Sequence, residues 1–527
     1  MMDRKTSFLN GEMRFFYFFR NASVPGHQDN AAKGEETIVI YTRKWRIIMK
    51  RSFCCFLVFI AIVTGMAQTA PALNPYDDFS GTWINPGKWN KQEFLREIRS
   101  GKLFSRITAY NTSDFNYLYV SNALTPNNIY YLQADVTLTE AEATYDPNDP
   151  NISTSSHASV AGVFYNDGTG SAGSSVGDVM AQVRLAYSQG QLKAEYYVIR
   201  YTNQSGSTWT ILHNDQINIP ILLNQTYTLS VRFQPALRRF TFGVTGATPV
   251  NWTAPGSGIP PAPNQGWKAL RTAVQAPVGY GGHVSATFDN ALGRDINNAV
   301  ILLTDDFAGP NIDNTKWMPN LEQIREIRNG VLDLKTKRIN LTANTGTILL
   351  FQNPGLISEI QATVSLTEFQ KSVANTNLQA RLGGFFFNAV GNPSSNYQDE
   401  IFAAIFLGGT QAAPRLGWYV NRMTNADGTT NNQLGSDILL DPIVLGNTYT
   451  LYLGWDGTRF TFKCVDCPGM PSAVFAPGTP IFPSNIQDKE LQVRIFPTTS
   501  PNNSTVAATF DNVWINAMRL YLPEVIK

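Results

Sequence analysis

The chain contains the stretch Ala286-Thr287-Phe288-Asp289-Asn290 and repeats it near its C-terminal end as Ala508-Thr509-Phe510-Asp511-Asn512. A matching opening precedes each copy. It reads Asp77-Asp78-Phe79-Ser80-Gly81 before the first copy and Asp305-Asp306-Phe307-Ala308-Gly309 before the second. Self-similarity over such a span is the signature of one structural module used twice. We therefore predict a duplicated module in which each repeat opens and closes with the same short motifs.

The spacing of apolar residues predicts β-structure in both repeats. Leu132 to Glu140 and Ile360 to Glu368 place an apolar residue at every second position, which is typical of a half-buried strand. No window sustains the apolar spacing of a helix, and Gly, Pro, Asn and Thr interrupt the chain at short intervals. We predict an all-β fold with two tandem antiparallel β-sandwich (jelly-roll) domains at residues 75–293 and 304–517, and a C-terminal tail at 518–527.

An export signal precedes the first repeat. Met49-Lys50-Arg51, the apolar run Phe53 to Val63, and Gly65-Met66-Ala67 are the three parts of a secretory signal peptide at residues 49–67. An uncleaved anchor is the alternative, although a spanning helix needs about 20 apolar residues. We interpret residues 1–48 as a mis-assigned upstream extension, with Met49 as the true start. The mature protein is then expected to be secreted, cell-surface or periplasmic, without a transmembrane segment.

The distribution of charge excludes some classes of partner. Residues 1–51 hold ten Lys or Arg against five Asp or Glu, whereas the whole chain has a net charge of +1. The mature part is therefore mildly acidic, and it has no basic run of the kind that nucleic-acid binders carry. It also lacks a glycine-rich phosphate loop. We expect neither nucleic acid nor a nucleotide as ligand.

Two cysteines, Cys464 and Cys467, remain after removal of the signal peptide. A Cys-x-x-Cys motif without a second pair of ligands does not predict a zinc site, and without a βαβ context it does not predict a thioredoxin-like centre. Exported proteins form disulfides readily. We predict a local disulfide between these two residues.

Taken together, the motifs resemble a known superfamily. An opening Asp-Asp-Phe-x-Gly is followed by Lys88-Trp89 in the first repeat and Lys316-Trp317 in the second, and each repeat closes with Thr-Phe-Asp-Asn. This pattern resembles the concanavalin A-like jelly roll and, more narrowly, the laminin G-like modules of secreted bacterial proteins. The resemblance implies two antiparallel sheets, one of them concave. Members of the superfamily bind glycans, cleave them, or serve as adhesive and structural modules.

Polar and aromatic residues that match between the repeats are the first candidates for a ligand site. A concave sheet could use such groups to bond sugar hydroxyls and to stack on a sugar ring. The alternative is that they form ion pairs and core contacts that any sandwich needs. The candidates are Glu97, Asn166, Tyr196 and Arg200 in repeat one and Glu326, Asn388, Trp418 and Arg422 in repeat two.

Three tryptophans, Trp209, Trp252 and Trp267, have no counterpart in repeat two. Trp89 and Trp317, by contrast, keep the same place in both copies, which favours core packing. Unmatched aromatic residues on loops are better candidates for contact with a ligand, although single exposed aromatics are also common.

A structural calcium ion is a further expectation. Asp289 and Asp511 lie in the closing motifs and could each supply one carboxylate, completed by backbone carbonyls, and calcium prefers oxygen ligands. Similar jelly rolls often carry calcium near this junction. Alternatively, each Asp-Asn pair forms local hydrogen bonds.

These observations favour an exported, non-catalytic protein that binds a polysaccharide or cell-surface glycan. A structural or adhesive envelope or matrix module is the alternative, and it predicts that apolar side chains fill the concave faces. A glycoside hydrolase or polysaccharide lyase is the third hypothesis. The Glu-x-Asp-x-x-Glu run of related glucanases is absent, so enzymatic activity is left open but not favoured.

Overall fold

A computed structural model describes residues 73–144, 154–168, 170–391 and 394–517. The extension at 1–48, the signal peptide at 49–67 and the tail at 518–527 lie outside them. The described residues belong to one compact unit built almost entirely of antiparallel strands, which confirms the all-β class. In this part of the chain no helix has the length and hydropathy needed to cross a bilayer.

The strands of the first half, in chain order, are β1 Asn74–Asp77, β2 Phe94–Arg99, β3 Lys102–Tyr110, β4 Asp114–Val120, β5 Tyr131–Ala143, β6 Ser155–Asn166, β7 Asp178–Ser188, β8 Gln191–Tyr201, β9 Trp209–Ile217, β10 Thr226–Gln234, β11 Arg239–Val244, β12 Val250–Thr253, β13 Lys268–Gln275, β14 Gly281–Arg294 and β15 Val300–Asp305. Three short 3₁₀ turns of the described chain interrupt them, at Asn122–Leu124, Pro126–Asn128 and Pro235–Leu237.

The strands of the second half are β16 Trp317–Met318, β17 Leu321–Arg328, β18 Val331–Leu341, β19 Thr345–Leu350, β20 Ile357–Lys371, β21 Leu378–Asn388, β22 Glu400–Gly409, β23 Arg415–Met423, β24 Asn431–Leu440, β25 Thr448–Trp455, β26 Phe460–Cys464, β27 Ser472–Phe475, β28 Phe482–Pro483, β29 Lys489–Ile495 and β30 Asn502–Ala517. A 3₁₀ turn at Pro354–Leu356 precedes β20. The alternating stretches noted in the sequence lie in β5 and β20, as predicted.

One large sheet runs through both halves of the molecule. Its order over the described strands is β12-β11-β10-β5-β14-β3-β2-β17-β18-β30-β20-β25-β26-β27, with β15 beside β14 and β1 beside β30. Two smaller sheets are ordered β16-β4-β13-β6-β7-β8-β9 and β19-β29-β21-β22-β23-β24, with β28 beside β21. Each smaller sheet packs on one half of the large sheet. We call these pairings the first and the second sandwich.

The two halves of the large sheet join through β2 and β17. These strands pair antiparallel, and Leu95 lies opposite Ile324. The two residues are equivalent in the sequence comparison, since each directly precedes the shared Arg-Glu-Ile-Arg run. A pseudo-twofold axis therefore passes between them, and the duplication in sequence becomes a twofold arrangement in space.

The hydrophobic cores do not follow the order of the repeats. Phe79, Ile84 and Trp89, which open repeat one, pack into the core of the second sandwich. Phe307 and Trp317, which open repeat two, pack into the core of the first, together with Ile312. We call residues 77–89 and 305–317 the opening segments. Each opening segment thus completes the sandwich formed mainly by the other repeat.

Hydrogen bonds explain why each opening segment carries its motif. The Asp77 carboxylate accepts a bond of 2.6 Å from the indole N–H of Trp89, and Asp305 accepts the same bond from Trp317. The lysine before each tryptophan lies 3.4 Å and 3.7 Å, respectively, from the same carboxylate. Both tryptophans are fully buried, as their matched positions predicted. The Asp–Trp bond satisfies an indole N–H that would otherwise be buried without a partner.

A buried lysine occupies the same place in both sandwiches. Lys268 Nζ donates to the carbonyls of Pro126 and Val163, at 3.1 and 2.7 Å, and Lys489 Nζ donates to the carbonyls of Phe385 and Gln487. A Cβ on Gly162 would lie 2.2 Å from Cδ of Lys268, and a Cβ on Gly384 would lie equally close to Lys489. The matched glycines therefore make room for the lysine side chains.

The predicted disulfide is present. Cys464 and Cys467 are bonded, with their Cα atoms 5.4 Å apart, and both are buried in the second core. The pair closes the short turn between β26 and β27. Repeat one has no cysteine there, so the fold does not depend on the bond.

Candidate functional site

The two matched asparagines anchor turns. The Asn166 amide donates to the Asp178 carboxylate and to the Val176 carbonyl, and its Oδ1 accepts from the amide of Gly168. Asn388 makes the same set of bonds, with Glu400 as its carboxylate partner. Every polar atom of both side chains is used within the protein. Ligand binding by these residues stays a prediction, but the structure gives them a local role.

The two matched aromatic residues face the cores. Tyr196 is 2% exposed and stacks on Phe242 at 4.5 Å, while Trp418 is 6% exposed and stacks on Phe462 at 4.6 Å. Their side chains lie between the sheets because they alternate with the outward-facing residues of β8 and β23. Both rings therefore lie inside the sandwiches and belong to their cores.

The matched glutamates lie at the junction between the halves of the large sheet. Arg99 Nη2 contacts Glu97 Oε1 at 2.6 Å and Glu326 Oε1 at 3.2 Å, and Arg106 contacts Glu326 Oε2 at 3.0 Å. Both carboxylates are buried and paired with arginine. This network joins the repeats across the pseudo-twofold axis. It has the character of a structural ion-pair network, because both acids are already neutralised within the protein.

The matched arginines differ in their surroundings. Arg422 is half-buried and contacts the Asp399 carboxylate at 2.6 Å. Arg200 is also half-buried, on β8 opposite Thr210 of the edge strand β9. The eight matched residues thus fall into turns, cores, the junction and strand ends, and they do not converge on one face.

The two aspartates proposed for calcium lie in separate bulged strands. Asp289 accepts a 2.8 Å bond from the amide of Asn290, and Asp511 accepts a 2.7 Å bond from that of Asn512. Both asparagines have a left-handed backbone, with φ of 48° and 46°. Neither aspartate belongs to a close group of three or more His, Cys, Asp or Glu side chains in the described ranges. Calcium there stays a prediction.

A different set of side chains converges on the first sandwich. The strands of its smaller sheet point one row of side chains into the core and the other away from it. The side that faces away from the core carries a row of residues that lie opposite one another on five neighbouring strands: Tyr117, Arg271, Ser159, Arg184 and Glu195. We call this side of the sheet the outer face.

A strip along the middle of the outer face carries small residues together with Arg271 and His157. Ala269, Ala273, Ser159 and Ala161 lie on β13 and β6. Larger side chains flank this strip on both sides, because β4 carries aromatic residues and β7 carries arginine and glutamine. We call this part of the outer face the central strip.

An aromatic shelf borders the central strip. Tyr117 and Tyr119 stack at 5.0 Å, and Trp267 meets both rings edge-on at 6.1 and 5.8 Å. All three are half-buried, so part of each ring is accessible. Trp209, which is 44% exposed, lies opposite Tyr201 at the far edge of the same sheet. Trp252 instead packs against Phe240 of the core.

His157 lies between two guanidinium groups on the outer face. Its Nε2 is 2.8 Å from Arg271 Nη2, and its Nδ1 is 3.3 Å from Arg184 Nη1. Arg184 also bonds Glu195 Oε2 at 2.7 and 2.9 Å. A neutral imidazole can accept a hydrogen bond at one ring nitrogen only. One of the two guanidinium contacts therefore lacks an acceptor.

Burial, with the added charge of Arg184 and Arg271, holds the pKa of His157 well below its usual value. The ring is therefore neutral at pH 7. Glu195 and Lys193, on the neighbouring strand, also face this cluster and are paired with each other at 3.1 Å. The site combines a neutral imidazole, two guanidiniums and an aromatic shelf.

The His157→Gln variant is expected to be less sensitive to acid than the wild type. Gln379 holds the equivalent position in repeat two, so the fold accommodates glutamine there. The pKa of His157 is lower in the folded than in the unfolded chain. Below about pH 6.5 the unfolded chain therefore binds one more proton than the folded chain, and the free energy of unfolding decreases by about 1.4 kcal/mol for each unit that the pH falls. Urea unfolding at pH 7 and pH 5 measures this difference. An equal loss in both proteins would show that His157 does not titrate as described.

The corresponding face of the second sandwich has other side chains. Phe406 replaces Arg184, Gln492 replaces Arg271, and Leu350 stands where Tyr119 is. Phe402, Phe406 and Tyr419 form a compact aromatic cluster there. The two faces therefore differ in chemistry although their strands pair in the same register.

No family model matches the chain, and no curated protein matches it. Among solved structures, the chain aligns with the GH43 protein BlXynB from Bacillus licheniformis at 10% identity and a TM-score of 0.24, over 85% of this chain and 98% of the other. A point mutant of that protein gives a TM-score of 0.23 at 10% identity, over 84% and 99%. A point mutant of Transferrin Binding Protein B from Haemophilus parasuis gives 0.11 at 9% identity, over 77% and 86%. Scores this low support no inference about this chain.

Proposed function

We propose that this is an exported, non-catalytic protein that binds a glycan on the outer face of the first sandwich. The observation that carries the proposal is the aromatic shelf of Tyr117, Tyr119 and Trp267 beside the central strip. A sugar ring needs an apolar surface to stack on and polar groups at its edge. The shelf supplies the first, and Arg184 and Arg271, which are 3% and 4% exposed, supply the second.

The alternative of a purely structural module predicts a face closed by apolar side chains. The second sandwich is nearer to that description, because an aromatic cluster occupies its outer face. Both outer faces carry a charged pair, Arg184–Glu195 on the first and Arg381–Glu490 on the second, but the first has the stacked Tyr117 and Tyr119 where the second has Ile348 and Leu350. This asymmetry favours a binding role for repeat one and an architectural role for repeat two.

The Trp267→Ala variant is expected to bind insoluble or immobilised polysaccharide about tenfold more weakly than the wild type, because the stacking of a sugar on one aromatic ring is lost. A glycan array identifies the glycan class, and a pull-down on that class then compares the variants. Tyr110→Ala is the matched control, since Tyr110 is 43% exposed but lies on the large sheet. Binding by Trp267→Ala that equals that of Tyr110→Ala and of the wild type would refute the shelf as the site.

The proposed calcium at Asp289 and Asp511 is tested by measuring the unfolding temperature with and without a chelator. If calcium supports the closing strands, its removal lowers the unfolding temperature. An unfolding temperature that is indifferent to chelator would assign both aspartates to their bulges alone.

A further inference from the structure

We infer that the glycan bound by the outer face of the first sandwich is anionic and carries carboxylate or sulfate groups that bond to Arg184 and Arg271. This inference rests on the proposed function, because it names the class of glycan that the outer face selects. It comes from the arrangement of charged groups on this face, which the aromatic shelf alone does not require.

The outer face carries more cationic than anionic groups. Its cationic side chains are Arg184, Arg271 and Lys193, and Glu195 pairs with both Arg184 and Lys193. Asp178 lies further along the same strand as Arg184, but its carboxylate accepts bonds from the backbone amides of Asn264 and Gln265 and from the Asn166 side chain. The local excess of positive charge contrasts with the mildly acidic mature chain.

Among the described residues of the outer face, Arg271 has no carboxylate as counter-charge. It is 4% exposed, and its guanidinium forms no ion pair with a carboxylate among the residues that the structure describes. Its contacts are the His157 ring, the Tyr117 hydroxyl at 3.3 Å, and the faces of Phe115 and Tyr117. Its Nε has no hydrogen-bond partner in that part of the chain. Buried guanidiniums are normally paired, because burial of an unpaired charge is costly.

An anionic oxygen would resolve this imbalance. Carboxylate and sulfate match the fork of N–H donors on a guanidinium, and such charge-assisted bonds are about twice as strong as neutral ones. His157 would then lie beside an anion as well as two cations, and its protonation would be easier. A neutral sugar has hydroxyls that can bond arginine, but it brings no charge to offset Arg271.

In the second sandwich, a carboxylate of the protein itself neutralises a buried arginine on the outer face. Arg381, opposite Gln492 in the equivalent row, contacts Glu490 at 2.5 Å and the Tyr419 hydroxyl. The equivalent of Glu490 in repeat one is Ala269. In repeat one the arginine of this row, Arg271, lies one strand away from the position of Arg381, and Ala269 stands where Glu490 neutralises Arg381.

Two matched pairs of polymers test the inference. Polygalacturonate and its methyl ester share a backbone and differ in carboxylate charge, while dextran sulfate and dextran differ in sulfate. Binding of the full-length mature protein to each is measured by isothermal titration calorimetry at two salt concentrations. Arg271→Gln installs the residue that repeat two has at this position, and Arg459→Gln, at an exposed arginine, is the charge-matched control.

We expect binding to at least one charged polymer to exceed binding to its neutral partner by about tenfold or more, as for other charge-assisted contacts, with a similar loss in Arg271→Gln and no change in Arg459→Gln. A preference within one pair identifies carboxylate or sulfate. Equal binding to charged and neutral partners, lost in Trp267→Ala, would overturn the anionic class and leave the glycan function intact. Binding to none of the four and to no glycan on the array would refute both. Equally tight binding of a single-stranded DNA of the same charge would show a general polyanion site and overturn the glycan assignment.

Discussion

The Trp317→Ala variant is expected to destabilise the first sandwich, although Trp317 belongs to repeat two. The side chain is fully buried in the first core beside Phe307, and truncation of a buried tryptophan costs about 3–5 kcal/mol through lost burial and the cavity left behind. The loss of its bond would also leave the Asp305 carboxylate without its indole partner. Hydrogen exchange read by peptide mass spectrometry locates the effect.

Trp89→Ala is the matched reciprocal variant. It removes the equivalent ring from the second core, so faster exchange is expected in peptides of β21, β22 and β29 and not in those of β6 and β7. The two variants should therefore give opposite maps. If Trp317→Ala instead loosened peptides of the second sandwich, each repeat would fold on itself and the exchange of opening segments would be wrong.

The sequence did not reveal that each opening segment packs on the other repeat, and the reason is physical. Asp77 and Trp89 bond to each other within one opening segment, and Asp305 and Trp317 do the same. These local contacts are identical whether the segment packs on its own repeat or on the other. The duplication and the period-two strands were predictable because they are properties of neighbouring residues, whereas the choice of core depends on the β2–β17 junction.

The residues of the candidate site were also not predictable from a comparison of the repeats. A comparison of the repeats selects residues that match, such as Asn166 with Asn388. Such residues match because both sandwiches need the same turns and cores. Arg184 and Arg271 differ from their counterparts, so a search for matches passes over them. The informative signal is the unmatched residue, and among the unmatched tryptophans Trp267 is the one that lies on the aromatic shelf.

The stability of the protein is expected to rise as the pH increases from about 7 to about 9. Burial lowers the pKa of Lys268 and that of Lys489 to about 7 each, from an ordinary value of 10.5. Between these values the unfolded chain binds one more proton per lysine than the folded chain. Stability therefore increases with pH, by about 1.4 kcal/mol per unit for each lysine. Urea unfolding at pH 7, 8 and 9 measures the slope.

Lys268→Met should reduce that slope by about 1.4 kcal/mol per pH unit, because methionine fills the apolar channel beside Gly162 without titrating. Its stability at pH 7 is a separate matter, since the carbonyls of Pro126 and Val163 lose their donor. Lys463→Met, at an exposed position, is the control and should keep the wild-type slope. An unchanged slope in Lys268→Met would mean that the amine stays protonated when buried. The carbonyls around it would then be strong enough to hold a full charge, and the matched glycines would serve to seat an ammonium group in both sandwiches.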